Sequence, residues 1–380
     1  MSREPLLTGR SDARPGSQNP LAQVERPHIA ARIEDAFDGW VAGLLVRRGW
    51  TVRIVPYAGI GGPGWARILA RTVLAAPYVA DSDLPDSGAT AQTSTDDAHL
   101  ADLRGWRSFL TSPVAGTRVH VRLGETTHEL VSDRAGYLDA VVTADLPVGW
   151  AQVELSTGSG AVVSAPVQVV DASVTSGLVA DIDDTVVVTR LPRPFVAAWN
   201  SLVRRTDARE AVPGMSQLLG RLVATEPGMP VVYLSTGAWD TAPTIARFLR
   251  VNGFPAGTLL MTDWGPTNTG WFRSGPRHKV TQLRRLFDRF PGVRWFLVGD
   301  DGQHDPTIYA GAVRHGGNHV AAVLLRQLTF AEHVLSSGTA LAPDQPPHRR
   351  RHEPPVPVLS APDGHALLRT ARRAGLVPRD

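Results

Sequence analysis

Residues Gly177 to Thr185 read GLVADIDDT, and the reading of this stretch decides the rest of the chain. Leu178, Val179 and Ala180 make a short apolar run of the kind that forms a buried strand, and it ends in the acids Asp181, Asp183 and Asp184. If the strand stops near Asp181, the carboxylates of Asp181 and Asp183 turn to one side at its carboxyl end, where open α/β sheets bind their ligands. Two acids held that close repel in low dielectric unless a cation or a shared proton offsets them. The spacing therefore points to a hard divalent metal such as Mg2+. An acidic turn that caps the next helix, with Asp184 or Thr185 as cap, is the alternative this stretch leaves open by itself.

Downstream the period of the apolar residues changes to that of helices separated by short strands. Phe195, Ala198, Trp199, Leu202 and Val203 form one helical stripe, and Met215, Leu218, Leu219 and Leu222 form another. Strands are expected at 231–234, 258–262, 295–298 and 320–325, with helices at 242–251 and 280–287 between them. That alternation is a parallel sheet with crossover helices. The strand at 231–234 ends in Ser235, Thr236 and Gly237, a hydroxyl beside backbone N–H groups that can meet a phosphoryl oxygen or simply cap a helix. Lys279 stands at a helix start, where its charge adds to the helix's own positive end and suggests an anionic partner. The strand at 295–298 runs into VGDDGQHDP, which brings Asp300, Asp301 and Asp305 into a second acidic turn. With Asp181 and Asp183 it supplies an oxygen-rich cage suited to Mg2+. His304 offers zinc only one imidazole, so a zinc site has little support.

Upstream the pattern is different. Thr51 to Tyr57 and Ala66 to Leu74 read as strands flanking a glycine-rich turn, GIGGPG at 59–64, which lacks the spacing of a dinucleotide fingerprint. Alternation of Val119, Val121 and Leu123 with Arg118, His120 and Arg122 marks a half-buried strand, and short strands follow at 129–131, 138–142, 151–155 and 161–170. This spacing predicts a small β-sandwich without clustered chemistry, His120 and His128 being surface residues.

The expected layout is a disordered leader over 1–26, an amphipathic helix over 27–50, the β-sandwich over 51–172, the α/β domain over 173–335 and a flexible basic tail over 336–380. A polar loop spans 81–102, and the HRRR tract at 348–351, set among prolines, reads as solvated. With no cysteine in the chain, a disulfide scaffold, a thiol nucleophile and a cysteine-ligated metal are excluded. A net charge of +3 with a pI near 9.6 suits an anionic substrate or membrane surface, though ordinary solvated surface has the same balance. No apolar run reaches about 18 residues and no basic-then-apolar leader opens the chain, so a cytoplasmic location is expected.

DIDDT at 181–185, Ser235 after an apolar strand, Lys279, and GDDGQHD at 299–305 together resemble the haloacid dehalogenase superfamily of phosphotransferases. The resemblance implies its Rossmann-like parallel sheet. It also implies Asp181 as nucleophile, Asp183 as general acid and base, Ser235 and Lys279 as holders of the phosphoryl group, and Asp300, supported by Asp305, completing a Mg2+ site with Asp181 and Asp183. A narrower likeness rests on AVPGM at 211–215, YLSTGAW at 233–239 and GDDGQHDPTIY at 299–309. Those segments are similar to the catalytic domain of the actin-patch-associated phosphatidate phosphatase family. RGWRSFL at 104–110 and DRAGYLD at 133–139 fit the β-domain that precedes it there. Thr236, Gly237 and Ala238 depart from the Asn-Ser-Pro-like turn expected of the fungal form. The implied function is a Mg2+-dependent phosphatidate phosphatase working through an aspartyl phosphate, peripheral to an anionic membrane and without a nucleic-acid partner. Arg277 and His278 are candidate helpers for substrate charge. The segment PRPFVAAWNSLV at 192–203, with Phe195 and Trp199 four apart beside arginines, is the candidate membrane contact or else a piece of core. A phosphatase for a soluble phosphomonoester and a non-catalytic membrane or protein interaction module are the competing readings.

Overall fold

A computed structural model describes residues 44, 47–75, 112–158, 162–188, 210–262, 275–302, 304–329, 332 and 356–378. The expected leader, nearly all of the amphipathic helix, the polar loop at 81–102, the 104–110 motif, the 192–203 segment and the 348–351 tract lie outside these residues.

The first half is built on a long hairpin of β1 (Thr51–Gly62) and β2 (Trp65–Ala75). Gly59, Gly61 and Gly62, expected in a turn, belong to β1, and only Pro63 and Gly64 make the bend. The reason is close approach: a Cβ on Gly59 would come within 2.4 Å of the Arg67 carbonyl oxygen across the hairpin. Six further strands follow: β3 (Ser112–Pro113), β4 (Arg118–Leu123), β5 (Thr126–Val131), β6 (Tyr137–Thr143), β7 (Gly149–Ser156) and β8 (Val163–Val169). They form one eight-stranded sheet in the order β3-β2-β1-β8-β7-β4-β5, with β6 pairing β2 along the same edge as β3. At the far end of that order, His128 Nε2 on β5 lies 2.8 Å from the Thr143 carbonyl of β6. The sheet has curled into a near-barrel, which corrects the two-sheet sandwich expected from strand spacing alone. Local alternation sets which face is apolar, but not whether the far strands meet across a gap or around a curve.

The second half is a six-stranded sheet, entirely parallel, in the order β11-β10-β9-β12-β13-β14. Its strands are β9 (Ser176–Asp181), β10 (Val231–Ala238), β11 (Thr258–Thr262), β12 (Arg294–Asp300), β13 (Val320–Arg326) and β14 (Val358–Ala361). Its helices are α1 (Met215–Val223), α2 (Ala242–Val251), α3 (Gly275–Arg289), α4 (Asp305–His315) and α5 (Gly364–Arg373). β9 is central and covered on both faces, so Gly177 through Asp181 are all buried, and this explains a continuous apolar run in place of an alternating one. Strand order reverses at β9: the chain first lays β10 and β11 on one side and then returns to lay β12 on the other. The crevice at the carboxyl ends of β9 and β12 is the usual ligand position in such sheets.

Residues 356–378 correct the expected flexible tail. β14 adds in parallel to β13, α5 is capped by Asp363 accepting from Ala366 N at 2.7 Å, and Leu367, Ala371 and Val377 are buried in the main core.

The two sheets share that core. On β1 and β2 the residues Ile54, Ile68 and Ala70 face the near-barrel's interior, while Val55, Tyr57, Leu69 and Val73 join the core of the α/β half. Tyr57 stacks on Trp239 with ring centroids 4.8 Å apart, and Thr258 Oγ1 donates to the Gly59 carbonyl at 3.0 Å. Arg67 is buried at this junction, with both nitrogens of its fork on Asp139 at 2.6 and 2.7 Å and its Nη1 donating to Gln282 Oε1 at 3.1 Å.

Candidate functional site

β9 delivers Asp181 to the crevice, and the chain then coils back at once. Val186 N and Val187 N both donate to the Ile182 carbonyl, at 2.9 and 3.0 Å, and Asp184 takes a left-handed backbone with φ of 57°. Aspartate is among the few residues that tolerate that conformation. The chain runs out of the described residues after Val188 and re-enters at Glu210, whose carbonyl accepts from Val188 N at 2.9 Å.

Four buried side chains converge at the strand ends. Lys279, in the second turn of α3, places Nζ 2.6 Å from Asp181 Oδ1 and 2.6 Å from Asp305 Oδ1. Asp300 is the last residue of β12 and Asp305 the first of α4. One oxygen from each of Asp181, Asp300 and Asp305 lies within 4.8 Å of the other two. Asp300 Oδ1 accepts from Gly302 N at 2.6 Å, whereas Asp305 Oδ2 is buried without a hydrogen-bond partner. Gly299 is required beneath it, because a Cβ there would meet Asp305 Oδ2 at 2.5 Å.

Ser235 and Asp183 stand beside this group. Ser235 Oγ donates to Asp183 Oδ2 at 3.3 Å and accepts from Gly237 N at 2.9 Å, and Thr185 Oγ1 reaches Asp181 Oδ2 at 3.5 Å. Asp183 is half-buried and is not part of the three-carboxylate grouping, in which sequence reasoning had placed it. That grouping contains no histidine, so His304 does not enter it. Arg277 is exposed; burial pushes the Asp139 carboxyl up, but Arg67 first and then the charges of Arg285 and His278 hold it below its usual pKa, which places His278 toward the β-layer.

Burial dominates the electrostatics. It pushes the Asp181 carboxyl well above the usual range; Lys279 opposes this, while Asp305, Asp300 and Asp183 add to it. Asp300 is pushed up to about 7 by burial and then by the charge of Asp305, with Lys279 pulling the other way. Burial alone would push Lys279 down, but Asp181 and Asp305 outweigh it and hold the ammonium charged. Three carboxylates around one ammonium leave two negative charges uncompensated when all are ionised. An all-oxygen donor set, that excess charge and the orphaned Asp305 oxygen fit a hard divalent cation, with Asp181, Asp300 and Asp305 as the residues that would hold it.

Sequence reasoning missed Arg326. It ends β13, is buried, and donates from Nη1 to the Asp184 carbonyl and from Nη2 to Glu332 Oε1, both at 2.6 Å. It thus pins the left-handed residue between Asp183 and Thr185. The neighbouring acidic turn is tied to the same strand end by Asp301 N donating to the Arg326 carbonyl at 2.9 Å. The one signal was an arginine closing the apolar run VAAVLLR, which alone reads as a surface strand end. Tyr309 was also missed; its hydroxyl donates to the Val298 carbonyl at 3.0 Å and closes the floor beneath the acids.

A Rossmann-like parallel sheet with a buried aspartate–lysine cluster at its switch point is the class of domain that these features define. Residues 176–327 match the family described as phosphatidate phosphatase APP1, catalytic domain. Phosphatidate phosphatase APP1 of Saccharomyces cerevisiae is 22% identical over 151 residues, which span 40% of this chain and 25% of the yeast protein. The chain thus contains a domain related to that catalytic domain, matched over about a quarter of the yeast protein's length. Among solved structures, a carbohydrate acetylesterase from Xanthomonas citri aligns over 77% of this chain and 76% of its own, at 8% identity and a TM-score of 0.26. A likeness of that size bears on neither fold nor activity. No helix among the described residues is long and apolar enough to cross a membrane.

Proposed function

We propose that the chain is a Mg2+-dependent phosphatidate phosphatase that works through an aspartyl phosphate on Asp181. The observation that carries this reading is Lys279 held between Asp181 and Asp305, with Asp300 beside them, inside the segment related to a phosphatidate phosphatase catalytic domain. An Asp181 oxygen attacks phosphorus as the bond to the leaving oxygen breaks, and Asp183 gives that oxygen its proton. Water then attacks the aspartyl phosphate, Asp183 takes a proton from it, and inorganic phosphate leaves with Asp181 restored. Asp183 suits both transfers because it is half-buried, in reach of solvent, and oriented by Ser235. Lys279 and the Ser235 hydroxyl meet the phosphoryl oxygens, where charge grows. Mg2+, when bound by Asp181, Asp300 and Asp305, supplies positive charge that those oxygens need. Arg326 keeps Asp184, and through it Asp183, in the required turn. A non-catalytic role for the chain leaves the clustered buried acids without a purpose, since like charges out of water cost several kcal/mol unless paired, roughly 3–5 for a broken pair.

Phosphate release from phosphatidate, lysophosphatidate and soluble phosphate esters, each with Mg2+ and with EDTA, tests the reading. Release that needs Mg2+ and is fastest on phosphatidate is expected. Release confined to soluble esters moves the substrate to that class, and no release on any substrate removes the enzymatic reading.

A further inference from the structure

We propose that Arg67 of β2 is a positioning residue for Lys279: through Gln282 it sets where α3 stands along the strand ends, which makes the β-layer a working part of the site. The proposal rests on the reading of Lys279 as a holder of the phosphoryl oxygens. Lys279 is the chain's only lysine, and its ammonium lies 2.6 Å from an oxygen of Asp181 and of Asp305 at the end of a flexible four-carbon stem. The stem must therefore start from a fixed place.

His278, Gln282, Arg285 and Arg289 follow one another at spacings of four, three and four, so they run down one side of α3. That side meets the β-layer. Gln282 Oε1 accepts from Arg67 Nη1 at 3.1 Å, Arg285 Nη1 lies 3.8 Å from Asp139 Oδ2, and the Arg289 guanidinium stands 5.4 Å from the centre of the Trp65 ring. Arg67 is itself gripped from behind, with Nε and Nη2 on the two oxygens of Asp139. Leu283, Leu286 and Phe287 bury the apolar side of α3, but apolar contact is non-directional and defines sliding along the helix axis weakly. A planar fork held at three points defines it well. Gly275 is an independent sign that the placement is tight. At the start of α3 it runs so close to the Ser235 strand end that a Cβ would lie 2.7 Å from Thr236 Cγ2. α3 is thus bounded by that strand end at its start and by Arg67 one turn beyond Lys279. Trp65, Arg67 and Asp139 lie outside residues 176–327, so the relationship to the catalytic domain assigns them no role.

The test uses the full chain grown with heavy-nitrogen lysine, which gives a single side-chain ammonium signal in magnetic resonance. The signal is read in EDTA, beside kcat and KM for a soluble aryl phosphate with Mg2+. In the parent, burial between two carboxylates is expected to protect the ammonium protons from exchange with water. Arg67→Met and Gln282→Met are each expected to shift that signal and expose it to exchange. Both should lower kcat by ~10-fold or more with KM changed far less, since the ammonium matters most where charge grows. Gln282→Glu keeps the acceptor and is expected to retain the signal and the rate. If Arg67→Met does not fold, Gln282→Met makes the same cut from the helix side while Arg67 keeps Asp139. Leu367→Ala loosens the core at α5 and is expected to keep the parent's signal and kcat in spite of a lower melting temperature. The signal does not depend on turnover, so a parent inactive on every phosphate ester removes the function proposed above while the ammonium still decides the role of Arg67. An ammonium signal unchanged in the Met variants, an equal change in Leu367→Ala, or a moved signal with undiminished kcat in an active parent overturns the proposal.

Discussion

Lys279 is the residue on which the site's electrostatics turn, since it is the cation paired directly with two of the three buried carboxylates. Lys279→Met leaves those acids uncompensated and is expected to destabilise the metal-free protein by roughly 3–5 kcal/mol, read from urea unfolding in EDTA. Asp181→Asn does the opposite by removing one of the repelling charges, so a higher unfolding midpoint than the parent's is expected. Equal midpoints for all three proteins would mean that the cluster is not electrostatically coupled. The same acids set a pH dependence. Asp300 titrates near 7 in the folded chain against an ordinary 3.8, so across that window the folded state binds more protons than the unfolded one. Stability of the metal-free protein therefore falls as pH rises through the window, and the penalty is complete above about pH 7. The upward shift of Asp181 has the same sign. A cation that needs ionised carboxylates offsets this penalty, so Mg2+ should raise the melting temperature more at about pH 8 than at about pH 5.5. A Mg2+ effect independent of pH would contradict the assignment of these carboxylates to the metal.

Elements differ in how openly the sequence announces them. β9 and β12 are legible because a fully buried strand is a bare apolar run, and a run that stops at acids also marks the carboxyl end where ligands bind. α2 and β11 coincide with the segments expected at 242–251 and 258–262, each being bounded by Pro or Gly. β14 is not legible: four residues after a proline-rich stretch carry no period, and the strand exists only because β13 offers an edge. The amphipathic pattern of α5 was hidden by that same composition. Its weight in the fold is testable. Leu367 is fully buried against the main core, so Leu367→Ala is expected to cost about 2–5 kcal/mol in urea unfolding. A flexible tail would give no change.

At the scale of the whole molecule, the near-barrel and the α/β half are joined by packing and by buried polar contacts. Arg67 reaches Gln282, one turn along α3 from Lys279, so the β-layer helps fix the helix that carries the site's cation. Tyr57 and Tyr137 both lie against Trp239, just after the Ser235 strand end. These contacts could not be read from sequence, because each links positions that no local period relates; Arg67 alternates with apolar residues on β2 and reads as a solvent-facing charge. Their expected consequence is a single cooperative transition, with tryptophan fluorescence and far-ultraviolet circular dichroism changing together on heating. Two separated transitions would show that the layers fold independently. The central claim, that Asp181 is the nucleophile of a phosphatase, is tested most directly by acid-quenching the protein during turnover of radiolabelled phosphatidate with Mg2+ and mapping the label. The account predicts label on the peptide that carries Asp181, absent in Asp181→Asn together with phosphate release. Turnover without label on that peptide, or undiminished release by Asp181→Asn, would contradict it.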